Sequence, residues 1–296
     1  MSKLFVSNVP VLEVKPITDA DVRTVAEFLH AEFLNLGVTR TRPVTDWLRV
    51  MNPPWAVEQP NHGYLLRENG RVVGVHLALY SERVIDDRVR RICNLGVWCV
   101  EEPHRASGMR LLRSLLRQKG YTFTDLTPNP NVVTLNTRLG FAALDTATML
   151  VPNLPWPVWS RGVRVIDTTN EIDGLLSGRD QQIYRDHATT AARHVVLTDG
   201  DQNCYVMYRR ERYRHLWVLA SILHVGDTEL FTRWAPHFHR YLLVRQRILA
   251  TLVEVRVAGR RPPRSVSVPG RPRMYFSDDV DAAQVDYLYS ELTCLE

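Results

Sequence analysis

Lysine is almost missing from this 296-residue chain. Lys3, Lys15 and Lys119 are its whole complement, against 37 basic residues in all. The positive charge is therefore arginine, a bias expected of a GC-rich bacterial genome and silent on chemistry. Cysteine is also scarce. Cys93, Cys99, Cys204 and Cys294 stand far apart or in apolar runs, and no C-x-x-C occurs. That spacing argues against a disulfide framework and predicts buried free thiols. No run approaches about eighteen consecutive apolar residues, so no membrane span is expected. The start "MSKLFVSNVPVLEVKP" has no long apolar core followed by a cleavage site. No signal peptide and a cytoplasmic location are the expectations. No Ser/His/Asp or Cys/His pattern stands out. His237 and His239 are two apart with no third ligand at a recognisable spacing, so no metal is expected.

What is present is the balance of a folded protein: 45% hydrophobic, 23% charged and a net charge of +5. The length allows one large domain or two ordinary ones. The mild positive charge suits an anionic ligand. Nucleic acid is disfavoured, because the basic residues are dispersed and no finger, helix-turn-helix or RNP pattern appears.

Residues 11–15 alternate as a strand, and Thr18 with Asp21 reads as a capping box before a helix through Val22, Val25, Ala26, Leu29 and Phe33. "MNPPWAVEQPNHG" is proline-rich and reads as loop. "YLLRENGRVVGVHLALY" is two strands joined by Glu68-Asn69-Gly70, a hairpin signal. A third strand spans about 88–100, and a helix follows with Met109, Leu112, Leu115 and Leu116 on one face. A strand over 121–126 and a short helix closed by Gly140 come next. "VPNLPWPVWSRG" at 151–162 reads as a semi-rigid linker. The second half repeats the order: two strands around Asp199-Gly200-Asp201-Gln202-Asn203, a strand at 216–224, a helix at 227–246 and a strand at 248–257. A basic Pro/Gly loop occupies 258–273, and "DAAQVDYLYSEL" reads as a last helix.

The stretch "HRASGMRLL" poses the functional question. A plain capped helix beginning near Ser107 accounts for it. An anion site also does, because a helix's first turn offers N–H groups and the positive end of the dipole, and Gly108 lets a phosphate approach.

Two motifs make the first half resemble the GCN5-related N-acetyltransferases, a family of acyl-CoA-dependent transferases. One is "VWCVEEPHRASGMRLLRSLL", with Arg105 and Gly108 five and eight residues after Val100. The other is Asn131 through "LNTRLGF", closing at Leu139-Gly140-Phe141. The resemblance covers about residues 11–150. It implies a mixed α/β fold with a mostly antiparallel central sheet flanked by helices, and acetyl-CoA or another acyl-CoA as cofactor. It implies that backbone N–H groups over Arg105, Ala106, Ser107, Gly108, Met109 and Arg110 wrap the coenzyme pyrophosphate. Trp98, Cys99 and Val100 would pair with the pantetheine arm like an added strand, and Asn131 would contact it where the sheet splays.

Two positions depart from the family pattern. Arg110 stands where the family prefers Gly or Ala, and it would either crowd the loop or reach a phosphate. Asn136 stands where many members carry the tyrosine that protonates the leaving thiolate. Asparagine cannot be that acid, though it can hydrogen-bond the thiol or the arm.

Glu101, at the end of the central strand, is the candidate base, against a reading as a solvated loop carboxylate. A backbone N–H near a strand bulge at about Val100 is the candidate oxyanion contact. Tyr121 or Tyr80 would replace the missing acid. His76 reads as a satisfied structural histidine, and His104 as a donor beside the phosphates. The second half can be laid over the first without the glycine loop, since Asp227 caps the matching helix and puts negative charge where phosphates would go.

The expectation is two such domains in tandem, 1–150 and 165–296, joined by a linker over 151–164. The second would be degenerate. The expected function is acyl transfer to a small-molecule amine by a monomer or homodimer. A non-catalytic coenzyme-binding or scaffold relative is the alternative.

Overall fold

A computed structural model describes residues 12–35, 42–155, 162–213 and 215–295. The first residue of the expected 11–15 strand and the centre of the Pro/Trp linker lie outside these ranges. β1 (Leu12–Pro16) leads through a 3-10 turn at Asp19–Asp21 into α1 (Val22–Asn35). The capping box is real: the N–H and Oγ1 of Thr18 both donate to Asp21 Oδ2, at 3.0 and 2.7 Å. α2 (Val44–Met51) interrupts a region that had offered no helical reading. Its Trp47, Val50 and Met51 are buried against the first core.

β2 (Gly63–Glu68), β3 (Arg71–Ile85) and β4 (Arg88–Val100) form the expected meander. Asn69 at φ 50° and Gly70 at φ 85° join β2 to β3. Two consecutive left-handed residues suit the twist of a two-residue hairpin. α3 (Met109–Leu116) buries Leu111, Leu112 and Leu115, whereas Met109 and Leu116 are only partly covered. β5 (Tyr121–Asp125), α4 (Pro130–Arg138) and β6 (Ala142–Ala143) follow. Gly140, at φ 94°, stands just past α4 as expected.

β7 (Thr148–Pro152) and β8 (Arg164–Ile166) flank the linker. α5 (Thr169–Leu175) and α6 (Gly178–His187) precede β9 (Arg193–Thr198), β10 (Asn203–Tyr213) and β11 (Leu216–Val225). α7 (Thr228–Val244), β12 (Ala250–Glu254) and the short α8 (Val255–Ala258) come next. The strand expected to run to residue 257 thus ends at Glu254. β13 (Val266–Val268), β14 (Met274–Phe276) and α9 (Glu291–Cys294) complete the chain. The expected C-terminal helix is replaced by a 3-10 turn at Ala282–Gln284 and the one-turn α9. Val285, Leu288, Tyr289 and Leu292, although at helical spacing, are buried on the first core along a segment that is mostly not helical.

Two seven-stranded sheets result. The first runs β1-β2-β3-β4-β5-β14-β6, and the second runs β8-β9-β10-β11-β12-β7-β13. Each has one parallel pair at its centre, β4 with β5 and β11 with β12; the other pairings are antiparallel. The two halves share one topology and exchange a strand. β7, from the first half, pairs with β12 over five residues, and β14, from the second half, pairs with β5 over three. A boundary at residue 150 therefore cuts through β7. The local pattern of a five-residue strand does not reveal which sheet it enters, because the two parallel pairs present equivalent edges.

One side chain ties the exchange together. Arg273, next to β14, donates to Glu254 Oε1 from Nε at 3.0 Å and from Nη2 at 2.6 Å. Its Nη1 donates to the Leu126 carbonyl at 3.0 Å. The guanidinium carbon sits 4.0 Å over the Tyr287 ring, and the Tyr287 hydroxyl donates to Glu254. Arg273 and Glu254 are both buried. Removing one partner of such a pair strands a buried charge, which costs about 3–5 kcal/mol. Arg273→Met is expected to lower unfolding stability in urea by that amount. The native chain is expected to unfold in a single transition by calorimetry. Two separate transitions would contradict the exchange.

Candidate active site

The central strand of the first sheet is irregular in a useful place. β4 pairs with β3 at His76↔Trp98 and again at Ala78↔Leu95, so Gly96 and Val97 together face Leu77. This is a β-bulge, which leaves one residue's backbone out of the ladder and bends the strand. The bulge lies at Gly96–Val97, three to four residues before the Val100 position expected for the oxyanion contact. β4 stays beside β5 only from Arg91↔Tyr121 to Asn94↔Thr124. β4 continues to Val100, so a wedge opens between the two strands beyond Asn94.

Four carboxyl and carboxamide groups converge on that wedge. Asn94 Nδ2 donates to Thr124 Oγ1 at 3.1 Å, and its Oδ1 accepts from the Glu291 N–H at 3.3 Å. Glu291 accepts from Thr127 Oγ1, and a Cβ built on Gly96 would lie 3.5 Å from Glu291 Oε2. Asn136 is fully buried; its Nδ2 donates to Asp125 Oδ2 at 2.9 Å, and its Oδ1 has no partner among the described residues. Burial, then the nearby Glu291 carboxyl, pushes Asp125 up to about 7, with the Asn136 hydrogen bond pulling the other way. Burial also raises Glu291, offset by Thr127 and by the charges of Arg209 and Arg42.

The wedge opens toward a cleft of about 1110 Å³ between the two sheets. Val97, Thr127 and Glu291 line it, as do Phe33 and Trp47 of the first half and Tyr184 and Trp217 of the second. That volume exceeds the range of about 300–1,000 Å³ common for small-molecule sites.

The residues expected from the sequence fall into three groups. The first stays near the wedge. Trp98 stacks on His76, with centroids 4.9 Å apart and planes 3° apart. His76 is buried and held down at about 3 by desolvation, so it is a neutral structural ring. Val100 packs under Gly108: a Cβ there would meet Val100 Cγ2 at 3.3 Å, Trp98 Nε1 at 3.4 Å and the Arg105 carbonyl at 3.2 Å. A Cβ in that place would be tightly packed, so glycine eases the close approach. Arg105, Ala106 and Ser107 lie in a 3-10 turn over Glu102–Ser107, and Met109 begins α3. The Gly108 N–H donates to the Arg105 carbonyl at 3.0 Å, so this donor is engaged within the loop.

A second group points elsewhere. Cys99 is turned to the opposite face, in the core under α1, and burial pushes its thiol up to about 11. Arg110 neither crowds the loop nor reaches toward it; its guanidinium donates to the Leu12 carbonyl at 3.2 and 3.3 Å. Asn131 is exposed on the first turn of α4, where its N–H is capped by Asn129 Oδ1 at 3.0 Å. Asn129, unnoticed in the sequence, is the N-cap.

The third group loses its expected role. Glu101 holds the Arg71 guanidinium with both oxygens, one at 2.8 Å, and it is absent from the cleft lining. Glu101 is thus tied to Arg71 at a place away from the cleft. Tyr121 lies opposite Arg91, five residues from the bulge, which is about 16 Å along the strand. Its ring packs edge-on against Tyr80 at 5.4 Å. Tyr80 in turn donates to Asn61 Oδ1 at 2.8 Å and is buried. His104 faces Glu68 at 3.2 Å and Glu101 at 3.6 Å. His239 Nδ1 meets Asn153 Oδ1 at 3.0 Å in the second core.

The second sheet has its own bulge and wedge. Met207 pairs with His224 and Tyr208 with Ile222, leaving Leu223 as the extra residue, and β11 stays beside β12 only over Leu219–Ser221. The loop beyond differs. Asp227 Oδ1 accepts from the N–H groups of Glu229 and Leu230 at 2.9 and 2.8 Å. The expected acidic cap is therefore in place.

No family model matches the chain, and no curated protein sequence matches it. Solved structures do. A GCN5-related N-acetyltransferase from Anabaena variabilis ATCC 29413 is 11% identical over 90% of this chain and 72% of its own, with a TM-score of 0.60. A putative acetyltransferase from Pyrococcus horikoshii is 14% identical, covering 94% of this chain and 93% of its own, with a TM-score of 0.53. A tandem GNAT protein from the clavulanic acid biosynthesis pathway is 13% identical, covering 90% and 98%, with a TM-score of 0.51. The fold is that of the GCN5-related N-acetyltransferases, present twice in tandem.

Asp125 makes stability depend on pH. Its folded value lies above that of an unfolded aspartate, so its contribution is complete below about pH 4 and is lost as pH rises through about 7. In Asp125→Asn the group no longer titrates. The stability difference between native protein and variant, from urea unfolding at pH 5 and pH 8, is expected to favour the native protein more at pH 5. A difference that does not vary with pH would contradict the assignment.

Proposed function

We propose that this protein is an acyl-CoA-dependent N-acyltransferase, with acetyl as the acyl group and a small-molecule amine as acceptor. The observation that carries this reading is the convergence of bulge, wedge and cleft on one buried carboxyl, Glu291. The residues of the wedge suit an acyl-CoA. The β4 edge beyond Asn94 has no strand partner among the described residues, as an extended pantetheine arm requires. Asn136 Oδ1 is a buried acceptor without a donor among the described residues. Gly108 and the start of α3 would face the pyrophosphate, the helix N-terminus favouring its charge. Acyl-CoA would supply a thioester carbonyl activated toward amines.

The chain's own groups then divide the work. An N–H of the Gly96–Val97 bulge donates to the carbonyl oxygen as it gains negative charge. Glu291, at the bulge and on the cleft, accepts the proton that the amine must lose. Its raised value makes it a stronger base than an exposed glutamate. Asp125, held by Asn136 and carrying a proton part of the time near neutral pH, supplies the proton for the departing sulfur. Two buried carboxyls thus take the acid and base roles that Tyr121 and Glu101 do not fill. The second domain would hold no coenzyme, since Asp227 opposes phosphate at the matching helix start.

A non-catalytic coenzyme-binding relative is the second reading, favoured by Asn136 in the acid position and by the Gly108 N–H engaged within its own loop. Turnover separates the two. Calorimetric titration is expected to give micromolar acetyl-CoA binding that Gly108→Glu abolishes. Glu291→Gln is expected to keep that binding while lowering kcat on an amine panel by about 10²–10⁴-fold. Binding with no turnover on any amine supports the second reading, and no binding overturns both.

A further inference from the structure

Thr127 stands between the two buried carboxyls of the wedge, Asp125 and Glu291. It lies two residues past the end of β5, beyond Leu126, whose carbonyl Arg273 holds at 3.0 Å. Its hydroxyl donates to Glu291 Oε1. Its own N–H acts on the Asp125 carboxyl and pulls that group down. One residue thus serves both carboxyls, Glu291 through its side chain and Asp125 through its backbone. Thr127 also lines the cleft beside Glu291.

The two oxygens of Glu291 are not equivalent. Oε1 is engaged by Thr127, whereas Oε2 lies toward the bulge, 3.5 Å from where a Cβ on Gly96 would stand. Glycine leaves that side of the carboxyl uncovered. The backbone of Glu291 is fixed from the floor of the wedge. Its N–H donates to Asn94 Oδ1 at 3.3 Å, and Asn94 pairs with Thr124 where the parallel ladder ends. A glutamate anchored at its backbone still turns about its χ angles, and a donor held on one oxygen ends that freedom. Donation to the charged form also favours it, so the Thr127 bond works against the effect of burial on Glu291.

We propose that Thr127 is the positioning residue of this site: its hydroxyl holds Glu291 Oε1 and so presents Oε2 to an amine arriving over the Gly96–Val97 bulge. This rests on the reading of Glu291 as the base. The hydroxyl does not touch the reacting atoms; it acts through Glu291. The amine proton goes to Oε2, and Oε1 keeps its hydrogen bond before and after, so the carboxyl does not reorient during the transfer. The other charged and titratable groups near Glu291 are Asp125 of β5, Arg209 of β10, Arg42 ahead of α2 and the Cys294 thiol of α9. A substitution at Thr127 leaves all four in place.

The hold of Thr127 can be read without turnover. Carbon NMR follows the chain labelled at its glutamate and aspartate carboxyls, the two resonances being assigned by their loss in E291Q and D125N. Native protein, T127V and T127S are titrated with pH. T127V keeps the shape and the N–H but removes the donor, so the Glu291 midpoint is expected to rise by about one pH unit or more. T127S keeps a hydroxyl and is expected to titrate like the native protein. Asp125 retains the Thr127 N–H and is expected not to rise in either variant. On an amine of the panel, T127V is expected to lose about tenfold or more in kcat, with acetyl-CoA affinity unchanged. The acid limb of its rate profile is expected to move to higher pH in step with Glu291. If T127V fails to fold by urea unfolding, T127A replaces it, with the same direction of shift expected. An unmoved Glu291 in the variant without the hydroxyl, or T127S titrating like that variant, overturns the inference whatever the turnover. So does native kcat in T127V when E291Q has lost turnover. A Glu291 midpoint that rises while E291Q turns over like the native protein overturns the base reading instead, with the grip of Thr127 supported.

Discussion

The buried pairing of Arg273 with Glu254 is the constraint on which the rest of the molecule depends. Arg273 precedes β14, which sits in the first sheet, and Glu254 ends β12, which sits in the second. The same guanidinium also holds the carbonyl of Leu126, one residue past β5. The parallel pair of one sheet is thereby anchored to the parallel pair of the other. With β7 and β14 exchanged, neither sheet is complete without residues from both halves. A cleft between two such sheets keeps its walls in register, as a site that must position two substrates requires.

The two halves show how one architecture is directed to different ends by a few local charges. Both sheets have a bulged central strand and a wedge beyond a short parallel pairing. In the first, glycine lies where the following helix begins, and arginines surround it. In the second, Asp227 fills the helix start, and a Cβ at Gly226 would collide with the Asp180 carboxylate. An acidic cap stabilises α7 and makes its N-terminus hostile to phosphate. What the second half contributes instead is β10, whose Arg209 acts by its charge on the buried Glu291.

Local signals in the sequence carried most of the first sheet. The Asn69-Gly70 turn, the nearly continuous apolar run of β3 and the apolar end of β4 are properties of neighbouring residues, and the elements follow them closely. The repeated order of the second half was legible for the same reason. The site was less so. Asp125 carried a faint signal, a charge at the end of a strand otherwise made of tyrosine, threonine and phenylalanine. Glu291 carried none, because its place at the bulge depends on a C-terminal segment that reads as a helix but reaches the first sheet mostly as irregular chain. Glu101 misled, since nothing in "CVEEP" reveals that Arg71, thirty residues earlier, takes both of its oxygens. The exchange of β7 and β14 is a choice between two equivalent sheet edges, settled by buried contacts such as Arg273 that no local window contains.

Amide hydrogen exchange with and without acetyl-CoA tests the division of labour between the two domains most directly. Protection is predicted to rise over residues 95–110, covering the bulge, the end of β4 and the start of α3, with no change over 222–230 in the second domain. Protection confined to residues 222–230, or rising equally in both, would contradict it.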